Sequence, residues 1–501
     1  MIMTESNKKL VGKGAVYIYI ESIISAITGY GLWLLLTKIT TSAVVGTTST
    51  VITLASIFTT IVAIGIPNSI PRFLGKSFSE QHLENAKVFV KASLFLVSIG
   101  ITVGTVIILL IKDYWILHSL DFSLILISIA LMASEALALL LRYIIIASLK
   151  TKALVGREII FSTAKIVLSV TLILMGTGAA GLTLGYTIGQ ILVTILLAYV
   201  LLSILKSSTT NKAAVGFFYG CKSILIAGIP SWIPALITTI GTQLGTIIVF
   251  QTAGASSAGA YFIALSIVTG ITAITYSLLS ATFPALSAMR DGRKRFAWQL
   301  TKLSLLFSLP LSSAAIFYSR EIMALFGQDY INGSPSLQIL LLSVLPATLT
   351  TGINILIYSY GNYRQVLIIG LASSIPRTIL YFALVPIYGS NGSAISFTIG
   401  SIIGSIACIV ICRKIGMLVF WKDLIYMFMI PTALGYVLSH FAVNYIIGVV
   451  LAVVISYVLL LKLQVLNRLD IQDSFGILPS QISIPLINVL NRLGERLNRA
   501  Y

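Results

Sequence analysis

Between Gly14 and Leu36 the only charged residue is Glu21, and between Ala43 and Ile70 there is none. One helical crossing of a bilayer takes about 20 such residues, and block after block of this chain qualifies. Only 10% of its 501 residues are charged and 57% are apolar. A soluble domain carries about 25% charged residues, so this chain cannot cover a soluble surface. The pattern predicts an all-α polytopic membrane protein and excludes a secreted, cytosolic or nucleic-acid-binding one. The first block is too long for a signal-peptide core, and no small-residue cleavage site follows it.

The blocks predict about fourteen transmembrane helices, at 14–36, 43–66, 88–111, 122–147, 158–177, 181–205, 219–250, 256–287, 302–319, 335–359, 366–386, 390–412, 424–443 and 445–462. The net charge of +18 need not mean an anionic partner. With this helix count, 27 of the 33 Lys and Arg residues fall on one side. Cytoplasmic loops collect such residues, so both termini are expected in the cytoplasm and the protein in the cell membrane. After Lys462, the leucines 486, 490, 493 and 497 share one face of a predicted amphipathic helix. Cys221, Cys408 and Cys412 read as core packing rather than a disulfide framework.

The chain also repeats itself. Gly178-Ala179-Ala180-Gly181 and Tyr186-Thr187-Ile188-Gly189 return 211 positions later as Gly389-Ser390-Asn391-Gly392 and Phe397-Thr398-Ile399-Gly400. Gly46 and Pro71 return 213 positions later as Gly259 and Pro284. Six helices bring a chain back to its starting side, so the halves form a parallel repeat related by an axis along the membrane normal. The expected organisation is an N-terminal lobe at 1–206, a C-terminal lobe at 207–413, an appended helix pair at 414–463 and a tail at 464–501. The two six-helix lobes are expected to enclose a central cavity.

Several short motifs occur in a telling order. They are Gly65-Ile66-Pro67-Asn68-Ser69-Ile70-Pro71-Arg72, Gly259-Ala260-Tyr261, Phe283-Pro284-Ala285-Leu286-Ser287, Leu325-Phe326-Gly327-Gln328-Asp329-Tyr330 and 384–394, from Leu384 to Ala394. With them the first twelve helices resemble the multidrug/oligosaccharidyl-lipid/polysaccharide exporter superfamily, and within it the lipid-linked oligosaccharide flippases of the Wzx type. The resemblance implies transfer of a polyprenyl-(pyro)phosphate-linked oligosaccharide from the cytoplasmic to the outer leaflet by alternating access, for cell-surface polysaccharide or glycoprotein glycan assembly. It also implies similarity to lipid II flippases, whose cavities are cationic. The alternative on the same fold is an ion-coupled multidrug or cation antiporter. One departure stands out: where many relatives carry an Asp, fourteen residues before Gly259, this chain has Gly245.

Charges within the spans are the candidate functional residues, because each costs at least about 2.5–3.5 kcal/mol to place at mid-bilayer. Arg377 lies about 16 Å into its helix at 1.5 Å per residue, and Lys165 occupies nearly the equivalent place in the first half. Together they would receive the substrate (pyro)phosphate from opposite lobes, the guanidinium by a two-pronged grip and the ammonium as a point charge. Arg72, in the second-helix motif, would guide the headgroup at the cytoplasmic mouth. Glu21, Glu135 and Arg142 form a candidate charge network, and a buried carboxylate is where H+ or Na+ would couple. No D-x-D pair, H-E-x-x-H or phosphate-loop motif occurs. The expectation is therefore a transporter rather than an enzyme, with no catalytic residues, metal or cofactor. Its partners would be the lipid-linked glycan, membrane lipids and glycan-assembly proteins, with the chain working as a monomer.

Overall fold

The computed structural model describes residues 5–79, 82–113, 119–206, 215–289, 291–463 and 465. The expected amphipathic helix of the tail lies outside them. The described residues are helical almost throughout, with no strand among them. The helices are α1 (Glu5–Ile39), α2 (Ser42–Ala63), α3 (Ile66–Ser79), α4 (Leu83–Ile111), α5 (Phe122–Ala147), α6 (Lys152–Leu174) and α7 (Gly178–Leu205). Then come α8 (Phe217–Ala288), α9 (Arg293–Phe317), α10 (Ser319–Ala324), a 3-10 turn (Gln328–Gly333), α11 (Ser334–Leu341), α12 (Val344–Ser359), α13 (Tyr363–Ile415), α14 (Trp421–His440) and α15 (Tyr445–Lys462).

Nine helices among the described residues are long and apolar enough to cross a membrane, or ten if the bent pair Gln328–Leu341 and Val344–Ser359 is one span. Two of the nine, Phe217–Ala273 and Tyr363–Ile415, run for 57 and 53 residues. At 1.5 Å per residue each would stretch about 80 Å, against a hydrocarbon core of about 30 Å. Each is broken, at Gly254 (φ 87°, ψ 169°) and at Gly389 (φ 57°, ψ −133°). Both conformations lie where a side chain is disfavoured and glycine is not. Each long helix therefore supplies two spans. α6 and α14, of 23 and 20 residues, are also long enough to span. With them the count reaches the expected fourteen.

Boundaries differ from the sequence expectation in several places: α1 starts at Glu5 rather than 14, α4 at Leu83 rather than 88, and α3 lies where a loop is expected. α6 starts at Lys152 rather than 158, which brings Arg157 inside the helix and moves Glu158 from its first position to its second turn. α9 starts at Arg293 rather than 302, so Lys302 is buried in its interior rather than standing at its start. The helix expected over 335–359 is bent by 44° between α11 and α12. Pro346 accounts for the bend: it cannot donate to the carbonyl four residues back, at Leu342, and its ring crowds that carbonyl.

By backbone proximity the chain forms two compact units. The first is Met1–Phe262 with Thr378–Ser393, and the second is Ile263–Arg377 with Ala394–Tyr501. In the first, α6 packs along α7 and α1, and α5 against α7 and α2. In the second, α9 packs against α12, α14 and α15. The core of the second unit includes Leu305, Leu356, Cys408, Met427 and Leu460, one from each of five helices. Cys221, Cys408 and Cys412 are all buried and free. Lys302 of α9 donates to Asp423 of α14 at 2.9 Å, and Tyr457 of α15 donates its hydroxyl to the Leu306 carbonyl at 2.9 Å. Charge and hydrogen bonding thus fasten α14 and α15 to α9.

The repeat has structural counterparts. Gly178, which starts α7, has φ 58°, and Gly389, 211 positions later, has φ 57°. The same left-handed glycine opens the matching helix in each half.

Candidate functional site

In the first unit, buried charges from three helices meet. Glu21 of α1 is 3% exposed. Arg142 of α5 grips it with two prongs: Nε donates to Oε1 and Nη2 to Oε2, both at 2.9 Å. Arg157 of α6 donates through Nη1 to Glu21 Oε1 at 3.2 Å and to Glu158 Oε2 at 2.8 Å. A carboxylate this deep is tolerable only when paired and hydrogen-bonded; Glu21 and Glu158 both are. One turn further on, the hydroxyls of Thr28 and Ser162 lie 2.7 Å apart and tie α1 to α6 again.

Lys165 stands two turns beyond Arg157 on the same face of α6, because 157, 161 and 165 are spaced by four. Between them lies Phe161. The Arg157 guanidinium is 5.6 Å from its ring centre and the Lys165 ammonium 4.6 Å. The Tyr186 ring lies 6.0 Å from the same ammonium. Lys165 is 4% exposed, and no described carboxylate lies within 4.0 Å of it. It is a buried cation set against two aromatic faces, with Glu158 two turns back on α6 acting on it through space.

In the second unit, Arg377 is 6% exposed. Its guanidinium carbon lies 4.1 Å from the Phe397 ring centre, and Nη2 donates to Ser401 Oγ at 2.8 Å. Phe397 matches Tyr186 at the 211 offset. The glycines that follow match as well. A side chain at Gly400 would meet Arg377 Cβ at 2.6 Å, and one at Gly189 would meet the Lys165 backbone nitrogen at 3.2 Å. In both halves, then, a cation lies on an aromatic ring and against a glycine; ring and glycine match at the 211 offset, and the cations miss it by one residue.

Glu135 lies within electrostatic reach of Arg157 in the same cluster, and Arg72 lies apart from it. Glu135 accepts from Thr59 Oγ1 at 3.3 Å, and Arg142 is taken up by Glu21 rather than by Glu135. Arg72 is exposed on α3. Sequence reasoning missed Arg157 and Glu158, which it left at the edge of a span, and the rings of Phe161, Tyr186 and Phe397. The signal for two of the rings was present, since Tyr186 and Phe397 open the strongest repeat motif.

Gly245 has a steric explanation. A side chain there would come within 2.5 Å of Ser393 Oγ and 2.9 Å of Tyr381 Cε1. Tyr381 is fully buried and donates its hydroxyl to the Gly241 carbonyl at 3.1 Å. A tyrosine ring thus fills the space an acid at 245 would need. Gly245→Asp is expected to lower the melting temperature of the purified protein. Overpacking costs about 1–3 kcal/mol, and an unpaired buried charge adds to that.

The polysaccharide biosynthesis protein family matches residues 11–290, more than half of the chain. The chain belongs to that family. No curated protein matches it. Its fold is similar to that of the lipid II flippase MurJ in an inward closed conformation, with TM-score 0.60 and 16% identity over 88% of this chain and 100% of that one. It is also similar to a multidrug resistance MATE family transporter of the MOP superfamily in an inward-facing conformation, with TM-score 0.58 and 16% identity over 80% and 94%. A third likeness is to a MOP superfamily transporter from Pyrococcus furiosus Vc1, with TM-score 0.56 and 15% identity over 81% and 95%. At these identities the likeness fixes the fold, that of a multi-pass membrane transporter, and leaves the cargo open.

Proposed function

We propose that this protein is a flippase that moves a polyprenyl-(pyro)phosphate-linked oligosaccharide from the cytoplasmic to the outer leaflet by alternating access. Arg377 and Lys165 take the (pyro)phosphate, and Arg72 guides it at the cytoplasmic mouth. The reading places the protein in the cell membrane with both termini cytoplasmic and lobes at 1–206 and 207–413, acting as a monomer beside glycan-assembly proteins. Glu135, hydrogen-bonded by Thr59, is the carboxylate it assigns to H+ or Na+ coupling.

The observation that carries this reading is the repeated arrangement of a buried cation on an aromatic ring, in a family tied to polysaccharide biosynthesis. A buried ammonium with no described carboxylate within 4.0 Å attracts an anion strongly in a low-dielectric setting, and a phosphorylated lipid headgroup supplies one. A cation antiporter would need its acids exposed to cargo, whereas Glu21 and Glu158 are occupied by arginines.

The test is reconstitution in liposomes, with a fluorescent lipid-linked oligosaccharide in one assay and a cationic dye in another. The expected result is lipid transfer, strongly reduced in Lys165→Ala. Dye efflux without lipid transfer would replace this reading with the multidrug antiporter.

A further inference from the structure

Arg142 and Arg157 are not used by the reading above, yet their geometry is that of an oxyanion receptor. Two nitrogens of Arg142 face two oxygens of one group at equal distances of 2.9 Å. A phosphate offers a guanidinium the same pair of oxygens as a carboxylate does. Arg157 has a donor to spare, since its Nε is buried without an acceptor. The charges balance: Arg142, Arg157 and Lys165 stand against Glu21, Glu158 and Glu135 along this stretch of α1, α5 and α6, so an incoming anion has to displace a carboxylate.

Depth fits as well. Arg142 sits five residues before the end of α5 at Ala147, and Arg157 five residues after the start of α6 at Lys152. That is about 8 Å inside the helix ends. α5, with 26 residues, is about 39 Å long, roughly 9 Å more than the hydrocarbon core. Arg142 therefore falls near the core boundary, close to the level of lipid phosphates. On the orientation proposed above this boundary faces the cytoplasmic leaflet.

We propose that Glu21 holds the place of a lipid (pyro)phosphate in the unloaded protein, and that the incoming headgroup displaces it from Arg142 and Arg157. The displaced carboxylate leaves two guanidinium groups for the anion. The Phe161 ring, shared by Arg157 and Lys165, marks the route onward along α6. Carboxylate and phosphate compete for one receptor, so loading is coupled to release of α1, which Glu21 ties to α5 and α6. This inference rests on the lipid-phosphate reading.

The experiment measures binding of farnesyl pyrophosphate, and separately of inorganic pyrophosphate, to the purified full-length protein in nanodiscs. Wild type, Glu21→Gln and Arg157→Gln are compared. Glu21→Gln is expected to tighten binding of the prenylated probe about tenfold, equivalent to 1.4 kcal/mol, and Arg157→Gln to weaken it by a similar factor. The probe should also raise the melting temperature of Glu21→Gln more than that of wild type, because it restores the missing anion. Should Glu21→Gln fail to fold, Glu21→Asp keeps the charge on a shorter arm and is expected to bind the probe more tightly than wild type. Wild-type binding with unchanged or weaker binding in the Glu21 variants overturns the exchange and leaves the flippase reading standing. Absence of binding in all of them overturns both. Inorganic pyrophosphate binding as tightly as the prenylated probe overturns the lipid source and assigns the receptor to a free anion.

Discussion

Alanine at position 377 is expected to reduce lipid-linked glycan transfer at least tenfold while leaving folded protein in the membrane. Three contacts are lost together: the charge, the stack on Phe397 at 4.1 Å, and the bond to Ser401 at 2.8 Å. A hydrogen bond to a charged group contributes about 1.5–3 kcal/mol, a ten- to hundredfold effect on a rate that depends on it. Folding should survive, because shortening the side chain removes a buried charge rather than stranding one. Arg377→Lys separates the contributions. It keeps the charge and loses the planar stack and two-pronged reach, so an intermediate rate is expected. Transfer in liposomes, normalised to protein that elutes as a single peak in detergent, is the measurement. Full activity in Arg377→Ala would remove this residue from the headgroup path.

The second large effect concerns Gly46 and Gly259, which match in the repeat and lie against each other. A Cβ at Gly46 would sit 1.8 Å from the Ala255 carbonyl oxygen and 2.7 Å from the Gly259 nitrogen. A Cβ at Gly259 would sit 2.1 Å from the Ser42 carbonyl oxygen. Close by, the hydroxyls of Ser42 and Ser256 are 2.6 Å apart. The obstacles are main-chain atoms, so the helices themselves would have to part. Overpacking usually costs about 1–3 kcal/mol when side chains can yield; here they cannot, and the cost should approach a protein's whole stability of about 5–15 kcal/mol. Gly46→Val and Gly259→Val are each expected to abolish recovery of folded protein, read as loss of the monodisperse peak. Gly46→Ala should show the same defect in milder form. Normal yield of either valine variant would mean that α2 and this part of α8 do not approach so closely.

Much of the fold could be read in advance, and the reason is the membrane. α5 and α15 run over 122–147 and 445–462, as expected, because apolar residues dominate both of their end turns. Gly254 and Gly389 fall in the gaps expected between spans, at 250–256 and 386–390. The failures have one cause. Hydropathy treats each charge as a separate cost, so one span is expected to start only at Glu158, just past Arg157, and another only at Lys302. In the structure, partners on other helices cancel much of that cost, and a partner distant in sequence leaves no local trace. Glu21 and Arg142 were visible as buried charges, but that they form a pair depends on how α1 and α5 sit against α6. The rings of Phe161, Tyr186 and Phe397 were hidden for a different reason. In an apolar helix an aromatic residue reads as one more hydrophobe until something charged is found above its face.

The pairing of Lys302 with Asp423 bears on how such chains gain and lose segments. A version shorn of α14 and α15 would take the Asp423 partner from the buried Lys302 ammonium and the Tyr457 donor from the Leu306 carbonyl. Position 302 thus ties α9 to α14. A shorter relative should differ there, exchanging the lysine for an uncharged residue, so that a single inward-facing side chain records whether the extra pair was ever present.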